Sequence, residues 1–200
     1  PEGNVKIKTK LLTAIQISNL TAVAATLWLQ NIPLKQIQEA LQQCQTIPGR
    51  LELWTINGIA VVVDYAHTPD ALSKTLQHLR PFLQESLHLV FGCGGEKDPF
   101  KRSQMGNIAE QHADKIWLTE DNSRSEDPEA IVHAILEGVK YPEKIHVQLD
   151  RKKAICQAFK QCKAGDILLI AGKGHESTIK KQGRNVAFSD RSLVQELCSS

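Results

Sequence analysis

Short apolar runs alternate with amphipathic segments along most of the chain. LELWTI, an Asn57-Gly58 turn and IAVVVDYA predict a β-hairpin whose second strand is buried. Further apolar runs predict strands at residues 88–92, 115–119, 145–149 and 167–172. Apolar residues at helical spacing predict helices at residues 68–80, 103–111, 128–138 and 152–161. This alternation predicts an α/β fold: a mainly parallel, Rossmann-like sheet with helices on both faces.

The first fifty residues have a different pattern. Residues 5–12 alternate as in an edge strand, and residues 18–30 and 33–43 have helical spacing, which predicts a strand followed by a helical hairpin. IPGR at residues 47–50 is typical of a hinge. The predicted domains are therefore residues 1–47 and residues 48–200.

Turn and capping residues set further boundaries. Thr68, followed by Pro69, is a typical start of a helix, because threonine caps free N–H groups and proline fits the first turn. Residues 178–188 contain a turn at Gly183 and predict a closing hairpin, after which Ser189 is expected to cap a last helix.

Composition and charge exclude several classes of protein. The 200 residues are 42% apolar, with 24 Lys and Arg against 22 Asp and Glu. Such a chain can bury a sizeable core, and without a basic block or many aromatic side chains it is not expected to bind nucleic acid. No apolar run approaches the roughly 20 residues that span a bilayer, so we expect no membrane insertion and a cytoplasmic location.

Five cysteines are scattered along the chain and form no CxxC pair. Their spacing does not indicate a zinc or redox motif. We therefore expect reduced thiols that are mostly buried.

The loop after the strand at residues 88–92 combines GCGG with Lys97, Lys101 and Arg102. Glycines allow close approach of the backbone, and this combination suits a carboxylate or a phosphate. A plain strand-to-helix turn is an equal alternative. A dinucleotide site is another, because Glu120 and Asp121 follow the next strand, although GxGxxG spacing is lacking.

TEDNSRSEDP follows the strand at residues 115–119. Asp121 and Asn122 suit an ammonium group, whereas Arg124 can hold a carboxylate through two hydrogen bonds. A zwitterionic amino acid is therefore a natural ligand. The alternative is that Asp127 or Ser125 only caps the next helix and that Arg124 is solvated.

GKGHE at residues 172–176 does not have the spacing of a phosphate loop, and GxxxxGK followed by Ser or Thr occurs nowhere in the chain. His175 and Glu176 could be a metal pair or an acid and base, but a structural or substrate-contacting role is favoured. In DYAHTPD, Asp64, His67 and Asp70 are candidate functional residues, but they could equally be turn and capping residues.

Six motifs occur in an order and spacing that closely resemble one family. They are PGRLE (48–52), DYAHTPDAL (64–72), FGCGGEKDPFKR (91–102), DNSRSEDP (121–128), AGKGHE (171–176) and FSDR (188–191). The chain resembles the Mur ligase family, and within it the members that add the third residue of the peptidoglycan peptide. Residues 1–47 are similar to the end of the family's central ATPase domain, and residues 48–200 to its C-terminal, amino-acid-binding domain.

The resemblance implies an activity and its reactants. Such a ligase uses ATP and Mg²⁺ to phosphorylate the free carboxylate of UDP-MurNAc-L-Ala-D-Glu, and the amine of meso-diaminopimelate then attacks the acyl phosphate. Phosphorylation supplies the leaving group that a carboxylate lacks, and positioning supplies much of the remaining rate. By resemblance, the phosphate loop and the Mg²⁺ ligands would precede residue 1. We therefore expect a fragment, inactive by itself, of a monomeric enzyme.

The resemblance also implies roles for individual residues. Arg124 would pair with the distal carboxylate of meso-diaminopimelate, while Glu176 and the backbone at Gly172 would hold its distal ammonium. The full set on the amino-acid side is Arg102, Asp121, Asn122, Arg124, Gly172 and Glu176. The set on the nucleotide side is Arg50, Asp64, His67 and Asn19.

Two positions depart from the family's pattern. Ser123 stands where the family's DNPR motif has proline; this removes a fixed φ but keeps Arg124, so we expect selectivity for diaminopimelate over lysine to persist. In the first piece QISN stands where the family has NVxN, so that Asn19 is kept and Gln16 differs.

Three other functions stay open at this point. A noncatalytic module that binds an amino acid or a peptidoglycan precursor would account for the absent phosphate loop. A lysine-adding ligase of the same family would share the fold. A nucleotide-dependent oxidoreductase rests only on GCGG with Glu120 and Asp121.

Overall fold

The computed structural model describes residues 3–9, 14–44 and 46–199. The chain divides into two compact units, Pro1–Ile47 and Pro48–Ser200. In the described part of the chain, no helix combines the length and the apolar character needed to cross a membrane.

The first unit contains a pair of helices. Helix α1 spans Ala14–Leu29 and α2 spans Leu34–Gln42, so the predicted helical pair is confirmed, with α1 starting four residues earlier than expected. Asn31 has a φ of 63° in the turn between them, a conformation that asparagine adopts more readily than most residues. Ile37 and Leu41 are buried and one turn apart, as an amphipathic helix requires.

The prediction of a strand at residues 5–12 is wrong for the residues of that segment that the structure describes. Residues 5–9 are not a strand, and residues 10–12 lie outside the described residues. A strand needs a neighbour for its backbone polar groups, and the described part of the first unit contains no other strand. The carbonyl of Lys6 instead accepts a hydrogen bond from Gln38 Nε2 of α2 at 2.7 Å. This backbone group is satisfied by a helix side chain.

The second unit is built on one six-stranded sheet. The strands lie in the order β1-β2-β6-β3-β4-β5, and only β1 is antiparallel to its neighbour. The mainly parallel sheet is therefore confirmed. Its strands are β1 Glu52–Ile56, β2 Ile59–Asp64, β3 Leu87–Phe91, β4 Lys115–Leu118, β5 Ile145–Val147 and β6 Ile167–Ala171. A separate antiparallel hairpin, β7 Thr178–Lys181 and β8 Arg184–Ala187, closes the domain as expected.

Helices cover both faces of this sheet. They are α3 Pro69–Leu79, α4 Phe100–His112, α5 Pro128–Leu136, α6 Arg151–Gln161 and α7 Asp190–Cys198. Helices α3, α4 and α5 pack with Leu87, Leu89 and Phe91 of β3, whereas α6 and α7 pack on the other face with Val90. The central strands β3 and β6 are buried at every position, as parallel strands between two helical layers require.

Side-chain caps fix where the helices begin. Thr68 Oγ1 accepts a hydrogen bond from the N–H of Ala71 at the start of α3, and Ser189 accepts one at the start of α7. Asp127 caps α5 in the same way, which agrees with the capping alternative for that residue. Helix α4 begins at Phe100, three residues before the predicted start.

The prediction of mostly buried cysteines is wrong. Only Cys93 is buried, whereas Cys44 and Cys198 are exposed and Cys156 and Cys162 are partly exposed; all five are free of disulfides. Cys44 follows α2 and Cys198 ends α7, and helix ends of this kind commonly lie at the surface.

Candidate functional site

Four loops meet at the carboxyl edge of the sheet. They follow β2, β6, β3 and β4, which lie side by side in that order. Backbone hydrogen bonds join them: Gly172 N donates to Asp64 O at 3.1 Å, and Gly95 N donates to Asn122 O at 2.9 Å. In a parallel sheet this edge is the usual place for a ligand.

The glycines of the loop after β3 allow close contact between loops. A Cβ at Gly92 would lie 2.1 Å from Thr119 O, and one at Gly95 would lie 2.0 Å from Ser123 O. Neither glycine has a positive φ, so the approach of the neighbouring backbone is what excludes a side chain. The glycines of GCGG therefore allow the loop after β3 to pack directly against the backbone of the loop after β4.

Arg102, from α4, is 5% exposed. Its Nη2 lies 2.8 and 3.0 Å from the two carboxylate oxygens of Glu126. The pKa of Glu126 lies below its ordinary value because the Glu96 amide and the Arg102 guanidinium donate hydrogen bonds to the carboxylate. Within the described residues, Arg102 Nε has no hydrogen-bond partner, so one buried donor is left for a ligand.

Arg124 is held by the β7–β8 hairpin. Its N–H donates to Lys180 O at 2.9 Å, and its carbonyl accepts from Gln182 N at 2.6 Å. Its φ of 55° is left-handed, and its Nη1 donates to Gly95 O in the loop after β3 and to Asn122 O in its own loop. A guanidinium has five N–H donors, and these contacts use only Nη1.

Asn122, Lys173 and Glu176 form a compact polar cluster. Asn122 Nδ2 donates to Glu176 Oε2 at 2.8 Å, and Lys173 Nζ lies 2.9 Å from the same oxygen and 3.2 Å from Asn122 Oδ1. Burial of Glu176 acts to raise its pKa, but the hydrogen bonds from Asn122 and Lys173 outweigh burial and lower it. Lys173 is fully buried, and sequence reasoning missed it because a lysine in a glycine-rich loop is normally solvated.

Asp121 lies next to Gly172. Its Oδ1 accepts from Asn122 N at 2.6 Å, and a Cβ at Gly172 would lie 2.6 Å from its Oδ2. Gly172 has a φ of 114°, which L side chains rarely adopt. The structure therefore brings together Asp121, Asn122, Gly172 and Glu176, four of the six residues that the resemblance implies for the amino-acid side.

At position 123 the family's motif has a proline, which fixes φ, whereas the serine of this chain makes a side-chain hydrogen bond. Its Oγ donates to Glu120 Oε1 at 2.6 Å, and Lys181 Nζ of the hairpin lies 2.8 Å from Glu120 Oε2. The Glu120 carboxylate thus links the loop after β4 to the hairpin. Because Glu120 is 7% exposed and engaged within the protein, it does not offer the free acid that a ribose-binding site needs.

A buried ion pair lies next to the carboxyl end of β6. It could not be predicted from the sequence. Arg151 Nε lies 2.8 Å from Asp190 Oδ1, and both side chains are completely buried. Arg151 Nη2 also donates to Ala171 O at 2.9 Å, at the end of β6. Burial acts to lower the pKa of Arg151, but Asp190 outweighs it and raises the pKa. The pair connects residues 39 positions apart, which no local pattern reveals.

Asp64, at the end of β2, is buried and holds the chain that enters the domain. Its Oδ2 accepts from Leu51 N at 2.8 Å, and its Oδ1 accepts from Ala66 N at 2.8 Å. Thr75 Oγ1 of α3 donates to the same Oδ1 at 3.3 Å. These contacts agree with the turn-forming alternative for Asp64.

Arg50 and His67 both lie against Tyr65. The Arg50 Cζ atom is 4.6 Å from the centroid of the Tyr65 ring, and the His67 ring is 4.5 Å from the same centroid in an edge arrangement. His175 lies on the same ring at 5.2 Å. Three of the four residues predicted for the nucleotide side are thus grouped in the second unit, whereas Asn19 lies in α1 of the first.

A parallel sheet with glycine-rich and acidic loops at its carboxyl edge matches a known class of ligase domain. Residues 49–174 match the model of the Mur ligase glutamate ligase domain, and the chain belongs to the Mur ligase family. The family resemblance of the six motifs is therefore confirmed.

Within this family the chain is similar to UDP-N-acetylmuramoyl-L-alanyl-D-glutamate--2,6-diaminopimelate ligases. The relative from Xanthomonas oryzae pv. oryzae strain MAFF 311018 is 48% identical over 186 residues, which are 92% of this chain and 38% of the relative. The relative from Chromobacterium violaceum is 43% identical over 202 residues, covering 98% of this chain and 40% of the relative. The chain thus spans about two fifths of the length of these curated relatives.

Solved structures show the same fold. A UDP-N-acetylmuramoyl-L-alanyl-D-glutamate--2,6-diaminopimelate ligase superposes with a TM-score of 0.76 at 34% identity, covering 96% of this chain and 40% of that one. A folylpolyglutamate synthase from Thermotoga maritima superposes with a TM-score of 0.64 at 21% identity, covering 84% of this chain and 38% of its own. The second likeness is one of fold alone.

Proposed function

We propose that this chain is the C-terminal part of an ATP-dependent ligase that adds meso-diaminopimelate to UDP-MurNAc-L-Ala-D-Glu in cytoplasmic peptidoglycan precursor synthesis. Relatives at 43% and 48% identity carry the name of that ligase. Because the chain spans about two fifths of their length, the activity is that of the parent protein, and the domain assignment of residues 1–47 and 48–200 belongs to the same proposal.

The observation that carries this proposal is the placement of opposite charges along one edge. Diaminopimelate has an amino and a carboxylate group at each end, so its distal end needs a cation and an anion side by side. Arg124 supplies the cation, and Glu176, held by a hydrogen bond from Asn122 Nδ2, supplies the acceptor. Hydrogen bonds from Asn122 and the buried Lys173 lower the pKa of Glu176, so its carboxylate can accept from a ligand ammonium. Arg102 adds its buried Nε donor for a carboxylate.

The chain's own residues would act by positioning. They would bind and orient diaminopimelate so that its amine meets the acyl phosphate. The acyl phosphate forms when the terminal phosphate of ATP is transferred to the D-Glu carboxylate, with ADP as the leaving group. Attack by the amine forms the amide bond and releases phosphate, and the amine loses a proton. Bound Mg²⁺ would neutralise phosphate charge.

ATP use is supported by fold relatives. A MurF ligase from Thermotoga maritima was solved in complex with ADP, and a Mycobacterium tuberculosis folylpolyglutamate synthase with ADP and AMPPCP. The present 200 residues contain no GxxxxGK phosphate loop, so ATP phosphates and Mg²⁺ would be held by residues outside this sequence. In the second unit Arg50 and His67 would face the nucleotide, and Asp64 would hold the backbone beside them at Leu51 and Ala66. Asn19, in the first unit, is proposed for a nucleotide contact by resemblance alone.

The test uses the parent protein with ATP and UDP-MurNAc-L-Ala-D-Glu, and compares ADP release with meso-diaminopimelate and with L-lysine. A site built around Arg124 leaves that cation unpaired when lysine binds, so we expect kcat/KM for diaminopimelate to be higher by at least about 100-fold. Equal turnover would contradict the assigned substrate, and a preference for lysine would favour a lysine-adding ligase. Binding of diaminopimelate without ADP release would favour a noncatalytic module.

A further inference from the structure

A second cluster of polar groups lies at the amino-terminal edge of the sheet. It contains His88 near the start of β3, Cys162 directly after α6, and Asp166 directly before β6. One ligand atom from each of these residues lies within 4.8 Å of the other two. Imidazole, thiol and carboxylate are the side-chain groups that bind zinc in proteins.

The side chain of His88 is completely buried. Neither ring nitrogen has a hydrogen-bond partner among the residues that the structure describes. Such atoms are rare in folded proteins, because a buried polar atom without a partner loses its hydration and gains nothing in return. The ring also stacks on Trp117, with 5.5 Å between centroids, which fixes its plane. The two nitrogens therefore have lone-pair or N–H capacity that a partner from outside the chain could use.

The contact between His88 and Asp166 indicates what kind of partner. Nε2 and Oδ2 are 3.2 Å apart, yet the ring N–H does not point at the oxygen as a hydrogen bond requires. Two ligands of one tetrahedral ion both point at the ion, and with bonds of about 2.0–2.1 Å they lie roughly 3.3 Å from each other. The observed separation fits two ligands of a shared ion.

The other two ligands are held in place. Asp166 Oδ1 accepts from Ser86 N at 2.9 Å and Oδ2 accepts from Lys163 N at 2.8 Å, as the supporting hydrogen bonds of a metal-binding carboxylate do. Cys162 Sγ lies 3.3 Å from Ala158 O, and the residue is partly exposed. Because His88 and Asp166 are buried, an ion would enter, and a water molecule as fourth ligand would bind, from the side of Cys162.

We propose that His88, Cys162 and Asp166 form a binding site for Zn²⁺ or a similar transition-metal ion. Nitrogen and sulfur donors favour Zn²⁺ over Mg²⁺, which prefers an octahedron of oxygen ligands. On binding, the thiol proton of Cys162 is released to solvent and the sulfur binds as thiolate. The site joins the end of α6 to β3 and β6 at the edge opposite the candidate amino-acid site, so it does not depend on the proposed ligase activity.

The test is a Co²⁺ titration of the full chain after treatment with a chelator. We expect one equivalent to bind, with the visible absorption of tetrahedral cobalt and a near-ultraviolet band from thiolate to cobalt. Cys162→Ser should remove that band and weaken binding at least tenfold. Cys156→Ser, within the helix that precedes Cys162 and outside the cluster, should change neither. Absence of stoichiometric binding, or an unchanged band in Cys162→Ser, would overturn the site.

A second measurement avoids substitutions, since Cys162→Ser could fail to fold. The unmodified protein is alkylated with and without Zn²⁺, and the modified cysteines are identified by mass spectrometry. Zn²⁺ should slow alkylation of Cys162 at least tenfold and leave Cys156 unaffected. Equal rates at Cys162 with and without Zn²⁺ would rule the site out.

Discussion

The two edges of the parallel sheet treat buried polar groups in opposite ways. At the carboxyl edge Glu120, Glu126 and Glu176 each contact a cation of the protein, and hydrogen bonds run from loop to loop. At the amino edge, within the part of the chain that the structure describes, neither ring nitrogen of the buried His88 makes a hydrogen bond, and Nε2 lies 3.2 Å from Asp166 Oδ2. Internal pairing thus preorganises loops that a ligand can enter, whereas an unpaired buried group indicates a partner that the chain does not supply.

The largest effect should come from breaking the ion pair beneath the carboxyl edge. Arg151→Met leaves Asp190 buried without its partner, so the free energy of unfolding should fall by about 3–5 kcal/mol. The measurement is urea unfolding followed by circular dichroism.

The matched control is Lys152→Met, the next residue along α6, whose side chain is 60% exposed and pairs with an exposed Glu196. Its effect should stay within about 0.5 kcal/mol. Equal losses in the two variants would show that the buried pair has no special role.

The second effect tests the contact between the loops after β3 and β4. Gly95→Ala places a Cβ 2.0 Å from Ser123 O, so backbone must move and the free energy of unfolding should fall by about 2–3 kcal/mol. In Gly94→Ala the nearest atom is the end of the Arg124 side chain at 3.0 Å, which can move aside. We expect that loss to stay below about 1 kcal/mol by the same unfolding measurement. A larger loss for Gly94→Ala would contradict the described loop contact.

The third effect tests the link through Glu120. Lys181→Met removes the cation that contacts Glu120, and because Lys181 is 45% exposed, we expect a loss of only about 1 kcal/mol in stability. If the proposed substrate is correct, the KM of the parent enzyme for diaminopimelate should rise about fivefold, because Ser123 and the adjacent Arg124 become less ordered. Lys180→Met is the control, since Lys180 contacts the loop through its backbone N and O. Matching KM values for the two variants would show that the hairpin acts by its backbone alone.

The smallest effect concerns pH. The pKa of Glu176 is lowered in the folded protein, so its ionised form stabilises the fold above the ordinary value of 4.5 and this contribution is lost as the pH falls through the lower, folded value. The difference in free energy of unfolding between the unmodified protein and Glu176→Gln should therefore be present at pH 7, at about 1 kcal/mol, and shrink in acid. A difference that stays constant with pH would contradict the described pairing.

Local patterns predicted most of the fold, because strand runs, turns and caps depend on neighbouring residues. The Asn57-Gly58 hairpin and the caps at Thr68 and Ser189 are examples. The strand at residues 5–12 failed because a strand depends on a partner, and alternation alone does not supply one.

The candidate site could be predicted in part. Asp121, Asn122 and Arg124 stand in one motif, and their chemistry is readable from residue type. Lys173 and the Arg151–Asp190 pair were missed because their burial depends on packing between distant segments. The cluster of His88, Cys162 and Asp166 was missed for the same reason: His88 lies on β3, far along the chain from the α6–β6 loop that carries Cys162 and Asp166, and no CxxC spacing marks them.

The central claim is that Arg124 binds the distal carboxylate of diaminopimelate. The most direct measurement is the KM of the parent enzyme for diaminopimelate and for ATP in Arg124→Ala, with Lys97→Ala, an exposed cation of the loop after β3, as control. Loss of a charge-assisted hydrogen bond of about 1.5–3 kcal/mol predicts a rise of roughly 10- to 150-fold in KM for diaminopimelate, little change for ATP, and no effect in the control. An unchanged KM for diaminopimelate in Arg124→Ala would contradict the account.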